Sequence, residues 1–229
     1  MSTDIRICFL GDSLVNGTED DSILGWPGRV CADARARGIP ITHYNLGIRR
    51  ETTSDLLLRW KEECLRRLPS ICDGRLVISA GVNDTSLDGG KPRVKPEESI
   101  ANIQCLLSEA MDFRVLVVGP PPVGDDEQNT RIEALSRQIA IATNAHDVPF
   151  IDLFSRLSAD HRYLEMVRAN DGAHPQADGY ARIARLVSSS PCWWFRELEP
   201  ANGTDASEPL IDASASVQAE ASAHDSHIG

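Results

Sequence analysis

Five residues of this 229-residue chain are of types that together could carry out acyl transfer: Ser13, Gly47, Asn83, Asp171 and His174. That chemistry needs a nucleophile, a base, a group that orients the base, and donors for the oxyanion that develops on the carbonyl. Ser13 supplies the nucleophilic hydroxyl. In Asp171-Gly172-Ala173-His174 the three-residue spacing lets the carboxylate reach one ring nitrogen while the other faces a serine on a neighbouring loop. Gly47 can present its backbone N–H with no side chain blocking approach, and Asn83 can add a side-chain N–H.

Three of the five follow segments that read as strands. Ile5–Leu10 is an apolar run, too short for a helix core, that stops at Gly11-Asp12-Ser13. Residues 39–45 (IPITHYN) form a second strand, with Pro40 at its start, and Leu46-Gly47-Ile48 follows. Residues 74–80 are continuously apolar in the middle, as a helix-covered parallel strand should be, and run into Gly81-Val82-Asn83-Asp84. In an open α/β sheet the carboxyl ends of the strands are where ligands bind.

The intervening stretches read as helices and loops. Asn16–Leu24 is a polar loop, and a helix begins near Pro27 and runs to Arg37. Residues 52–68 carry a cap in Thr52–Asp55 and then Leu56, Leu57, Trp60, Cys64 and Leu68 on one face. Thr85–Pro96, with Gly89-Gly90, is a loop, and Glu97–Met111 is a helix. Phe113–Val118 is a fourth strand ending on a rigid Pro120-Pro121-Pro122 rim, residues 127–145 a long amphipathic helix, and Val148–Leu153 a fifth strand. A short helix with irregular ends reaches Asn170, and a last helix uses Tyr180, Ile183 and Val187. Five strands alternating with helices predict a three-layer α/β/α domain, flavodoxin-like, with a five-stranded parallel sheet.

Composition sets the outer limits. A mass of 25.0 kDa suits one such domain over 1–196 followed by an acidic, Ala/Ser-rich tail over 197–229, too poor in large apolar residues to offset its ordering entropy. The formal charge is -11, and seven uncompensated carboxylates lie after Arg196, so neither part resembles a basic nucleic-acid surface. The expected partner is a small-molecule ester, with no nucleic acid. Neither a secretory leader nor a membrane span is recognisable, and six scattered cysteines without a C-x-x-C pair suggest reduced thiols, so the expected location is cytoplasmic. Trp193-Trp194-Phe195 either clamps the chain's end onto the domain or forms a homo-oligomer contact. Neither spacing nor cysteine placement supports a metal site, and no cofactor is implied.

Gly11-Asp12-Ser13-Leu14, Gly47, Gly81-Val82-Asn83-Asp84 and Asp171-Gly172-Ala173-His174-Pro175 resemble, in order and rough spacing, the four sequence blocks of the GDSL or SGNH hydrolases. The resemblance spans about residues 5–190. In the second block Arg49-Arg50-Glu51 stands where small residues are often found. The resemblance implies a serine esterase with Ser13 as nucleophile, His174 as base and later acid, and Asp171 holding the imidazole. It also implies an oxyanion hole of the Ser13 N–H, the Gly47 N–H and the Asn83 amide. Asp12 and Asp84 are expected to pin turns near the site.

Specificity is expected to come from short loops around this centre, which favours short-chain or acetyl esters. Leu14, Arg49, Leu87, Pro121 and Val123 are candidate substrate contacts, with rim or core packing the equal alternative for Leu14, Leu87 and Val123. A lysophospholipase, a thioesterase or a carbohydrate O-acetylesterase would use the same catalytic residues. A noncatalytic small-molecule-binding module is the alternative of a different class.

Overall fold

Strand β1 (Ile5–Gly11) sends alternate side chains to opposite faces of the sheet. Ile7 and Phe9 enter one core and Cys8 and Leu10 the other, all four without solvent exposure. That two-sided burial explains the unbroken apolar run. In the computed structural model, which describes residues 4–196, the chain continues through α1 (Ser13–Asn16), α2 (Gly25–Ala36), β2 (Ile41–Gly47), α3 (Thr53–Arg67) and β3 (Asp73–Ser79). It then forms β4 (Leu87–Asp88), β5 (Lys91–Pro92), α4 (Pro96–Glu109), β6 (Arg114–Val118), α5 (Asp126–Ala145) and β7 (Phe150–Ile151). Helices α6 (Leu153–Ser158), α7 (His161–Ala169) and α8 (Ala177–Ser189) complete it. The tail expected over 197–229 lies outside the described residues.

The main sheet has the order β2-β1-β3-β6-β7 and is parallel throughout. One core packs α2, α6, α7 and α8 against it, and the other packs α3, α4 and α5, which makes the three layers. Because β2 and β3 flank β1 on opposite sides, the strand order reverses there, and a crevice opens at the carboxyl ends of these three strands. The register pairs Gly11 with both Gly47 and Ser79, so the three strands end at one level. A Cβ on Gly11 (φ 155°) would lie 1.9 Å from the Ser79 carbonyl oxygen, which leaves room only for glycine.

Local detail departs from the sequence reading where the signals are short. The polar stretch after β1 begins with a single helical turn, α1. Asp12 Oδ1 caps it by accepting from the Leu14 N–H at 2.9 Å, and Gly17 at φ 85° closes it. Four residues are too few to show helical periodicity. The segment Thr85–Pro96 holds the hairpin β4–β5, whose two-residue turn places Gly89 and Gly90 at φ 57° and 78°. The fifth strand shrinks to two residues, and two capped helices, α6 and α7, replace the single irregular one. Trp193 and Phe195 are buried in the core of the α2/α8 side, and the Arg75 guanidinium lies 4.6 Å from the Phe195 ring centroid. Among the described residues no helix is long and apolar enough to cross a membrane.

Candidate active site

Ser13 is the first residue of α1, directly beyond the carboxyl end of β1, and is 7% exposed. The loop between α7 and α8 brings His174 to it across 161 residues of sequence. His174 Nε2 lies 2.7 Å from Ser13 Oγ, and Nδ1 lies 2.6 Å from Asp171 Oδ2. The other Asp171 oxygen accepts the N–H groups of Ala173 at 2.9 Å and His174 at 2.8 Å. Partial burial pushes the Asp171 carboxyl upward. The hydrogen bonds from the His174 ring and these two N–H groups outweigh it and hold it below its ordinary value. An ionised Asp171 fixes the neutral imidazole as the Nδ1–H tautomer, which leaves Nε2 as the acceptor for the Ser13 O–H.

The loop that carries this pair is itself anchored. Gly172 N–H donates to Val167 O at 3.0 Å, and Gly124 N–H donates to Gly172 O at 2.8 Å. The latter bond ties the proline-rich rim after β6 to the Asp171–His174 turn. Asn129 in turn holds Val123 through both its N–H and its carbonyl.

Asn83 lies four residues beyond β3. Its Nδ2 donates one hydrogen to the Glu51 carbonyl at 3.1 Å, which leaves the second N–H for another acceptor. The preceding carbonyl, Val82 O, accepts from Thr85 Oγ1 at 2.7 Å and Gln128 Nε2 at 3.0 Å, so the Asn83 turn is fixed from both sides. Asp84, 1% exposed, accepts from the Thr53 N–H at 3.1 Å, from the Thr53 hydroxyl and from Ser99 Oγ at 2.8 Å. With three donors on it, Asp84 ties α3 and α4 to the Asn83 turn. Asp12 is fully buried beneath Ser13. Its desolvation, opposed by the Leu14 N–H and assisted by the Asp84 and Glu51 charges, pushes its carboxyl up to about 7.

Gly47 is placed differently from the expectation. Its N–H donates to Asn45 Oδ1 at 3.0 Å, and a Cβ on it would meet the Asn16 nitrogen at 2.2 Å. Glycine is therefore required at this position for β2 to lie against α1, while its N–H is already committed. Other backbone donors around the crevice are left uncommitted. Among the described residues the N–H groups of Ser13, Arg49 and Arg50 have no hydrogen-bond partner, and of the two arginines Arg50 is the one next to Glu51. Arg50 sits at φ 67°, a conformation that favours glycine, and Arg93 Nη1 holds its carbonyl at 2.8 Å. Arg50 immediately precedes Glu51, whose carbonyl receives Asn83. The only sequence signal was the Arg49-Arg50-Glu51 departure in the second block, which points to this turn without saying which N–H it leaves free.

The candidate substrate contacts divide. Leu14 and Val123 are 4% and 2% exposed and belong to the core of the α2/α8 side, and Pro121 is buried as well. Their apolar surface is spent on packing, the second of the two roles open to Leu14 and Val123 from sequence. Leu87, on the hairpin, and Arg49 are exposed. Among the described residues no group of three or more His, Cys, Asp or Glu side chains is arranged to hold a metal ion.

Residues 9–182 match the sequence pattern of a family described as the GDSL-like Lipase/Acylhydrolase family. Among solved structures, a lipase/acylhydrolase from Enterococcus faecalis is 26% identical, with a TM-score of 0.67 over 80% of this chain and 93% of that one. An acetylxylan esterase from Geobacillus stearothermophilus, 20% identical, superimposes with a TM-score of 0.66 over 81% of this chain and 93% of its own. An α/β hydrolase from a metagenome of Lake Arreo, Spain, also 20% identical, gives 0.68 over 84% and 98%. At 20% identity these last two share the fold. No curated protein sequence matches the chain.

Proposed function

The chain belongs to the GDSL-like lipase/acylhydrolase family, and we propose that within it the protein is a serine esterase that cleaves short-chain carboxylic esters through an acyl-Ser13 intermediate. The observation that carries this reading is the continuous chain from Ser13 Oγ to His174 Nε2 and from His174 Nδ1 to Asp171 Oδ2, at 2.7 and 2.6 Å.

In the proposed reaction His174 Nε2 takes the Ser13 proton as Oγ attacks the ester carbonyl. Asp171 stabilises the imidazolium and remains ionised. The carbonyl oxygen becomes an oxyanion that accepts the Ser13 N–H, the Arg50 N–H and the free N–H of the Asn83 amide. Arg50 takes the place expected for Gly47, because the Gly47 N–H is held by Asn45. Collapse of the tetrahedral intermediate breaks the ester C–O bond, and the alcohol leaves with the proton from His174. Water, deprotonated by the same imidazole, then attacks the acyl-serine and releases the carboxylic acid and free Ser13. Asp12 holds the turn from beneath and takes no part in proton transfer.

The short β4–β5 hairpin beside the Asn83 turn, which offers no large lid, supports a small acyl group over a long one. Incubation with a fluorophosphonate, followed by peptide mass spectrometry, should place the adduct on Ser13. Replacing Ser13→Ala should remove both labelling and hydrolysis of 4-nitrophenyl acetate while the fold persists. Undiminished turnover in Ser13→Ala would sink the mechanism. Rates across acyl-chain lengths, acetylated xylosides, acyl thioesters and lysophospholipids then rank the leaving groups.

A further inference from the structure

Beside the Ser13–His174–Asp171 chain lies a buried ion pair to which the reaction above assigns no role. Arg59, on α3, reaches back with its guanidinium and grips the Glu51 carboxylate through both Nε and Nη2. The Glu51 side chain is 4% exposed and that of Arg59 is 16% exposed. The same Nη2 donates to the Leu46 carbonyl at 2.7 Å and approaches Gly11 O at 3.5 Å, while Nη1 donates to Glu63 at 3.1 Å.

These contacts fall on both ends of one turn. Leu46 O is the last carbonyl before Gly47, at the exit of β2, and Glu51 closes the turn just before the cap of α3. Between them the chain passes through Arg50 at φ 67°. A non-glycine residue holds that conformation only when its surroundings impose it. One planar guanidinium joined to both ends of a five-residue turn is such an imposition, and the planar fork of arginine suits it in a way that a lysine ammonium does not. The Glu51 backbone carbonyl is in turn the acceptor that orients the Asn83 amide. Gly11 O, which Arg59 also approaches, accepts the Ile48 N–H at 2.9 Å and lies two residues before Ser13.

We propose that Arg59 and Glu51 are positioning residues for this active site: their ion pair staples the 47–51 turn so that the Arg50 N–H and the Asn83 amide are held as donors for the oxyanion formed over Ser13. Neither side chain touches the substrate. The inference rests on the acyl-serine reading above. It extends that reading by placing control of the oxyanion geometry in a charge pair on the far side of the turn.

The test is steady-state kinetics on Arg59→Lys, with 4-nitrophenyl acetate as substrate and thermal unfolding followed in parallel. The lysine keeps a positive charge beside Glu51 but cannot span Glu51 and Leu46 together. Misplaced donors act on the transition state, so kcat should fall by about tenfold or more while KM stays within about threefold. Combined with Asn83→Ala, the same substitution should cost a factor at least about threefold smaller, because one of the donors it positions is already gone. The double replacement Arg59→Met/Glu51→Met removes the pair without leaving a lone buried charge and keeps the Glu51 backbone carbonyl, so it covers the case in which Arg59→Lys does not fold. It should show the same loss in kcat. Wild-type kcat in either folded variant, or an equal factor with and without Asn83, would overturn the proposal. Residual full turnover in Ser13→Ala, measured alongside, would instead overturn the acyl-serine reading on which it stands.

Discussion

Replacing Gly47→Ala separates a steric role for this residue from a donor role. The alanine keeps its backbone N–H, so any loss must come from the added methyl. Built on the native backbone, that Cβ would lie 2.2 Å from the Asn16 nitrogen, 2.7 Å from Asn16 Cα and 2.7 Å from the Asp12 carbonyl oxygen. All three are backbone atoms, so no side chain can rotate away. Restoring an ordinary contact of 3.4 Å or more requires β2 and α1 to separate by about 1 Å. Helix α1 begins with Ser13, which therefore moves relative to His174 on the opposite loop. A displacement of about 1 Å in a reacting group costs about 10²-fold in rate, and overpacking of this kind costs about 1–3 kcal/mol of stability. For a domain of this size that corresponds to a fall in Tm of roughly 4–8 °C at the middle of the range. Initial rates with 4-nitrophenyl acetate and a calorimetric melt measure both quantities on one preparation. A Gly47→Ala protein with kcat within twofold of wild type and an unchanged Tm would refute the packing argument.

Two further outcomes follow from the same geometry. Asn83→Ala removes a proposed oxyanion donor and should lower kcat by about 10²-fold with little change in KM; an unchanged kcat would take Asn83 out of the hole. Asp12 gives a pH-dependent test. Its folded carboxyl titrates near 7 against an ordinary 3.8, so the folded state binds its proton more tightly than the unfolded chain does. The stability it contributes is fully present below about pH 4 and is lost as pH rises towards 7. Asp12→Asn keeps an acceptor for the Leu14 N–H and does not ionise. The Tm of the variant relative to wild type should therefore rise between pH 5 and pH 8, by the equivalent of at most about 4 kcal/mol over the whole titration. A difference in Tm that does not vary with pH would contradict it.

Much of the fold was legible because its signals are local. Phe9 and Leu10 could be assigned to a doubly covered strand from a nearly continuous apolar run, and Thr52–Asp55 to a helix start from a hydroxyl or Asp cap ahead of Leu56. The assignments failed where a structure is shorter than its own signal. Four residues of α1 and two-residue strands in the 85–96 hairpin show no period, although the Asp12 cap and Gly89-Gly90 were present to mark them. Leu14 and Val123 stayed open between acyl contact and core packing for another reason. An apolar residue beside a reactive one reads the same whether it lines a pocket or supports the wall behind it.

The sequence by itself determined which chemistry is available and at which strand ends it is presented. Ser13, Asn83 and the Asp171/His174 pair became candidates from residue type, turn position and a three-residue spacing, and the resemblance of four short blocks to the GDSL hydrolases gave them their proposed roles. Only the tertiary structure decided which backbone donors remain free and what holds them. The Gly47 N–H is taken by Asn45, that of Arg50 has no partner among the described residues, and one guanidinium on α3 joins both ends of the turn between them. The physical reason is that a backbone N–H looks identical at every residue in a sequence. Its availability is settled by hydrogen bonds and close contacts among segments that meet only when β1, β2 and β3 are brought side by side.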